Sequence, residues 1–66
     1  MYINGSNLNF LSSETLTQVC ARVGIDPTAK GIAIAVNEQI IPRHRWNEIY
    51  PEEEDRIEII HAAQGG

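Results

Sequence analysis

Thr15-Leu16-Thr17-Gln18-Val19-Cys20-Ala21-Arg22-Val23-Gly24 is the stretch around which the fold is read. Thr15 and Gln18 have the spacing of a capping box: the hydroxyl accepts from the third helical N–H while the side-chain amide of Gln18 reaches back to the cap. Leu16, Val19, Cys20 and Val23 recur at i, i+3, i+4 and i+7, which is one apolar stripe. Gly24 offers the left-handed stop that ends such a helix. A helix this short has one face to bury and predicts a sheet to bury it on.

Working outward, the sequence supplies the strands. Upstream, Met1–Asn4 and Asn7–Leu11 flank Asn4-Gly5, a pair suited to the positive φ angles of a tight hairpin turn. Met1, Ile3, Leu8 and Phe10 alternate and are expected to share one buried face, with Asn9 toward water. Downstream, Ile25-Asp26-Pro27 turns the chain and 28–31 reads as loop. Ile32-Ala33-Ile34-Ala35-Val36 then has branched side chains on one side and alanines on the other. Asn37-Glu38 makes a turn, Gln39-Ile40-Ile41 returns, and Pro42 ends that strand because it has no N–H for a ladder. Arg43–Trp46 reads as a single helical turn, and Trp46 and Tyr50 are candidates to close the end of the core. In Arg56-Ile57-Glu58-Ile59-Ile60, Ile57 and Ile59 are expected to face the helix, leaving Glu58 and Ile60 outward as a candidate docking patch.

The order strand-strand-helix-strand-strand-strand predicts an α+β domain: a mixed five-strand sheet with one main helix on one face. A right-handed crossover through the helix would bring the last strand beside the first, in the middle of the sheet.

Composition narrows the function. Sixty-six residues make one small domain, read as a body at 1–61 and a flexible tail at 62–66. A chain of this size buries only about 60% of its unfolded surface, too little to enclose a deep catalytic pocket. One cysteine excludes an internal disulfide and fits a reducing cytoplasm. No signal peptide or membrane-length apolar run is present, so no membrane association is expected. The net charge of -4 has the wrong sign for a nucleic-acid binder. Glu48, Glu52, Glu53, Glu54, Asp55 and Glu58 concentrate that charge in one stretch, either a solvated face or a feature that steers a basic partner.

Self-contained chemistry is hard to find. No GxxxxGK[ST] stretch is present. His44 and His61 lack a spaced metal-binding partner, and no cofactor or metal site is expected. Ser12 and Ser13 suit a turn or cap better than a nucleophile. Glu52–Asp55 lack the desolvation that would split the proton affinities of an acid–base pair. Cys20 lies in the apolar stripe and reads as a small buried hydrophobe.

The remaining feature is the tail, Ala62-Ala63-Gln64-Gly65-Gly66. Without Cβ atoms, Gly65 and Gly66 can thread a narrow cleft. Five extended residues reach roughly 17 Å from a docked surface into a partner's site. A frayed terminus is the plain alternative.

Three stretches together carry a family resemblance: Asn37-Glu38-Gln39-Ile40-Ile41-Pro42-Arg43-His44-Arg45-Trp46, Asp55-Arg56-Ile57-Glu58-Ile59-Ile60-His61-Ala62, and the closing Gly65-Gly66. Over its whole length the chain resembles the ThiS family, the sulfur carriers of thiamine (thiazole) biosynthesis. It departs from the family pattern at Glu53-Glu54-Asp55, where Asp-Gly-Asp is common, and at Gln64, where many members have a third glycine.

The resemblance implies a ubiquitin-like β-grasp fold and a carrier role without enzymatic activity of its own. Gly66 would be the residue modified, as an adenylate and then a thiocarboxylate. Gly65 would form the slender neck with Gln64 behind it, and Glu58 and Ile60 would touch partners. The implied partners are an E1-like adenylyltransferase (ThiF type) that uses ATP-Mg, a cysteine desulfurase or other sulfur donor, and thiazole synthase (ThiG type). Other readings are a carrier like the small subunit of molybdopterin synthase, a ubiquitin-like tag, or an interaction module whose diglycine is incidental.

Overall fold

The computed structural model describes residues 1–61; the tail expectations at 62–66, Gln64, Gly65 and Gly66 among them, lie outside the described residues. The chain folds as β1 (Tyr2–Ile3), β2 (Ser6–Asn7), α1 (Leu16–Arg22), β3 (Ile32–Val36), β4 (Gln39–Ile41), a 3-10 turn (Arg43–Arg45) and β5 (Arg56–His61). The sheet order is β2-β1-β5-β3-β4, with β5 parallel to β1 and antiparallel to β3. The last strand is therefore central, as the crossover argument expects.

The helix forms where its caps allow. Gln18 N–H donates to Thr15 Oγ1 at 3.3 Å and Thr15 N–H donates to Gln18 Oε1 at 2.9 Å, closing both arms of the capping box. At the other end Gly24 takes φ 87°, its N–H donates to Ala21 O, and Ile25 N–H donates to Cys20 O. Those two bonds make a Schellman stop, and Ile25 lays its side chain on the core beside the last turn.

Leu16, Val19 and Cys20 are buried on the helix side, facing Ile3, Ile32, Ile34, Ile57 and Ile59 from the sheet, and Trp46 closes one end. Trp46 is held by more than burial. Its Nε1–H donates to Ile41 O at 2.9 Å, and the Arg43 guanidinium lies over its ring, 4.6 Å from the centroid. Arg43 also donates to Pro27 O and, at 2.7 Å, to Ala29 O, which pins the 26–31 loop against the 3-10 turn.

Two expectations are corrected, and the departure from the family pattern at Glu54 is accounted for. The second strand ends at Asn7, not Leu11, although Leu8 and Phe10 still pack half-buried on the core. The segment leaves the sheet because Arg22 holds it to the helix, donating to Asn9 O at 2.7 Å while pairing with Glu14 at 2.8 Å. Tyr50 is exposed and does not close the core. It lies between half-buried Ile49 and buried Pro51, and these two neighbours occupy the inward positions. The turn before β5 needs no glycine: Glu54 is not among the positive-φ residues, because Asp55 closes the turn with its N–H to Glu52 O and its carboxylate to Glu52 N–H.

Among the described residues, no helix is long and apolar enough to cross a membrane.

Candidate functional site

The outer face of the sheet, opposite the helix, follows from strand alternation. Inward isoleucines on β3 and β5 force Ala33, Ala35, Glu58 and Ile60 outward. Register then sets neighbours: Ile60 lies beside Ala33, while Ala35 lies between Glu58 and Ile40. Two alanines on β3 make the floor of a shallow trough whose walls are Glu58 and Ile60 on one side and Ile40 on the other. Ala35 is only 3% exposed because these longer neighbours shade it, whereas Ile60 and Ile40 are 44% and 63% exposed. Glu58 and Ile60 thus stand on one open face, as read from the sequence. Tyr2, exposed and beside Arg56 on the same face, and Ile40 extend it. The period of two along β1 and β4 is the signal that would have added both.

At the Arg56 end of this face a concavity of 460 Å³ opens between Tyr2, Glu38, Arg56 and Glu58. Its rim mixes one cation with two carboxylates around an aromatic ring, and the acidic turn 52–55 adjoins it in sequence. This composition suits a partner surface that is basic and partly apolar. A second hollow of 370 Å³ lies beside Arg43 and Trp46, but there the guanidinium is already occupied by two carbonyls and the indole ring.

Nothing among the described residues forms a metal centre, and no cluster of three His, Cys, Asp or Glu side chains could hold an ion. Cys20 is fully buried, and desolvation pushes its thiol up, with Asp26 adding to the rise. Asp26 is held below the usual carboxylate range by the hydroxyl and then the N–H of Thr28. Both groups serve the fold: one fills the core, the other closes a turn.

Two residues that sequence reasoning treats as turn formers do more. Asn37, at φ 50°, accepts from Arg56 N–H at 2.9 Å and donates to Asp55 Oδ1 at 3.0 Å. Asn4, also at φ 50°, accepts from Ile59 N–H at 2.9 Å and donates to Ile59 O at 3.4 Å. Each hairpin turn therefore fastens β5 by a side-chain amide. The motif Asn37…Pro42-Arg43…Trp46, which carries part of the resemblance, is thereby accounted for as framework: a clamp on β5, a loop anchor and a core plug.

Comparison with known proteins agrees with this geometry. No curated protein matches the chain. Among solved structures, the crystal structure of the thiamine biosynthesis protein ThiS from Geobacter metallireducens superposes with a TM-score of 0.78 at 16% identity, over 98% of this chain and 96% of that one. At that identity the likeness establishes the fold, a β-grasp sheet with its single helix. The ThiS family matches residues 1–66. The chain belongs to the ThiS family, the sulfur carriers of thiamine biosynthesis.

Proposed function

We propose that residues 1–61 are a docking body and that 62–66 carry sulfur on the Gly66 carboxylate, in the cytoplasm, for assembly of the thiazole ring of thiamine. The observation that carries this reading is the full-length family match, which takes in Gly65-Gly66. The central position of β5 supports it: the strand that leads toward the tail is held by neighbours on both sides.

A carboxylate is a poor acyl donor because its leaving group would be oxide. An E1-like adenylyltransferase of the ThiF type, using ATP-Mg at its own site, supplies a better one. The Gly66 oxygen attacks the α-phosphorus, pyrophosphate leaves, and the acyl carbon becomes electrophilic. A persulfide from a cysteine desulfurase then displaces AMP, forming an acyl disulfide. A second thiol cleaves the S–S bond, leaving the Gly66 thiocarboxylate and a disulfide between the two thiols. The thiocarboxylate delivers its sulfur to a thiazole synthase of the ThiG type. This chain contributes docking and a slender reactive end; the partners contribute the catalytic groups.

Docking falls to the trough at Glu58 and Ile60, flanked by Ile40, because apolar walls with an acidic margin match a basic, partly apolar partner. Incubating the protein with the adenylating partner, ATP-Mg and a sulfur source should raise the intact mass by the difference between sulfur and oxygen at Gly66. An unchanged mass refutes the carrier reading, and a lysine isopeptide adduct would point to a tag instead. Ile60→Asp should weaken binding to the adenylating partner while leaving the domain folded; equal affinity would remove the trough from the docking surface.

A further inference from the structure

The parallel ladder between β1 and β5 is short. Its register pairs Tyr2 with Arg56 and Ile3 with Ile57, and its outer rungs run from Tyr2 N–H to Asp55 O at 3.0 Å and from Asn4 N–H to Ile57 O at 2.9 Å. In a parallel ladder the next rung would run from Ile59 N–H to the backbone carbonyl of Asn4. The backbone has turned away by then, since Asn4 and Gly5 sit at φ 50° and 83° in the hairpin. The side chain of Asn4 takes the rung over. Its Oδ1 accepts from Ile59 N–H at 2.9 Å, and its Nδ2 donates to Ile59 O at 3.4 Å, in place of the rung after that. A carboxamide has the donor and acceptor of a peptide group, and here it serves as one more residue of strand.

We infer that Asn4 is a positioning residue for sulfur transfer: it extends the β1 side of the ladder to Ile59, two residues before β5 ends at His61, and so steadies the strand that leads to the tail. Beyond Ile57, β5 is paired along its other side by β3, through Ile34, Ala33 and Ile32 opposite Ile59, Ile60 and His61. Asn4 is what secures the β1 side. A strand held on both sides as far as Ile59, and by β3 to His61, limits the directions from which the following residues start, and orientation of the reacting group governs the rate of acyl transfer. This role rests on the carrier function proposed above.

The test uses the full chain and two substitutions. Asn4→Gly keeps the left-handed backbone without strain but removes the amide; Asn4→Asp keeps an oxygen for Ile59 N–H and loses the Nδ2 donor. In the isolated protein, Asn4→Gly should speed hydrogen exchange at the Ile59 amide by roughly tenfold, the effect of losing one net hydrogen bond, while the Ile57 and Ile34 amides keep their rates. With the adenylating partner, kcat for thiocarboxylate formation should fall by roughly three- to tenfold with KM for the carrier within about twofold. Asn4→Asp should lie between Asn4→Gly and the wild type in both measurements. Glu14→Gln loosens the Arg22 pair without touching β5, and it should leave kcat alone.

An Ile59 amide that exchanges no faster in Asn4→Gly overturns the inference. So does faster exchange with an unchanged kcat, or an equal loss of kcat in Glu14→Gln. If the wild-type protein itself is never thiocarboxylated, the carrier reading falls first and takes this role with it. That outcome is distinct from one in which wild type and Asn4→Gly are converted at the same rate.

Discussion

Replacing Glu38 by glycine should stabilise the domain, although it deletes a side chain and loosens the unfolded chain. Glu38 is the second central residue of the two-residue turn between β3 and β4, where Asn37 and Glu38 have φ 50° and 72°. Such a turn matches the twist of its strands only with both central residues left-handed, and glycine is the usual occupant of the second position. A residue with a Cβ is strained there by about 1–2 kcal/mol. Against that relief stands the extra entropy of glycine in the unfolded chain, about 0.4–1 kcal/mol. The Glu38 side chain is exposed at the rim of the outer-face concavity and plugs no part of the core, so little packing is lost. The difference favours the variant by about 0.5–1 kcal/mol, and at about 4–8 °C per kcal/mol for a domain of this size the melting temperature should rise by about 2–8 °C. Thermal unfolding followed by far-UV circular dichroism, with urea titration as a second measure, reads the effect. Glu38→Ala separates backbone from charge: it removes the carboxylate but keeps the Cβ, and should give little or none of the gain. A melting temperature at or below wild type for Glu38→Gly, or an equal rise for Glu38→Ala, would refute the reasoning.

Other perturbations test other parts of the framework. Trp46→Phe keeps an aromatic ring in the core but deprives Ile41 O of its 2.9 Å donor, and should lower stability by about 1–3 kcal/mol in urea unfolding; an unchanged midpoint would mean that the indole N–H is dispensable. Burial raises the Cys20 thiol above its ordinary value of 9.0, so its contribution to stability is complete below that pH and is lost as pH climbs past it. Relative to Cys20→Ala, the wild type should therefore lose stability only above about pH 9, and alkylation of Cys20 at neutral pH should wait on unfolding. Thr28→Val removes the larger of the two hydrogen bonds that hold the Asp26 carboxyl down, so the Asp26 titration followed by NMR should move up toward the usual range. No such movement would place the cause elsewhere.

How much was legible in the sequence depends on how local the cause is. The capping box at Thr15 and Gln18, the left-handed stop at Gly24 and the turns at Asn4-Gly5 and Asn37-Glu38 each follow from residues within a few positions of one another, and all four stand where they were expected. Glu58 and Ile60 were placed outward by simple alternation, a property of any strand. The misreadings were of another kind. Leu8–Leu11 alternates well enough for a strand, yet Arg22, well over one helical length away in sequence, claims the Asn9 carbonyl. Tyr50 has the character of a core residue, but Ile49 and Pro51 take the inward positions beside the helix cap, where Leu16 N–H donates to Ile49 O.

By itself the sequence determined the helix and its ends, the faces of the strands and the class of the fold, because capping, periodicity and turn chemistry act over the few residues that a linear reading can see. Tertiary structure decided where β2 stops, which aromatic plugs the core, and that Asn4 and Asn37 reach across their turns to hold β5. These depend on groups that meet only in the folded chain, most plainly at its two ends: Asn4 meets Ile59 only once a parallel strand has been laid beside it. Hydrogen-bond partners at that separation are set by sheet register, which belongs to the assembled sheet and is written in no single segment.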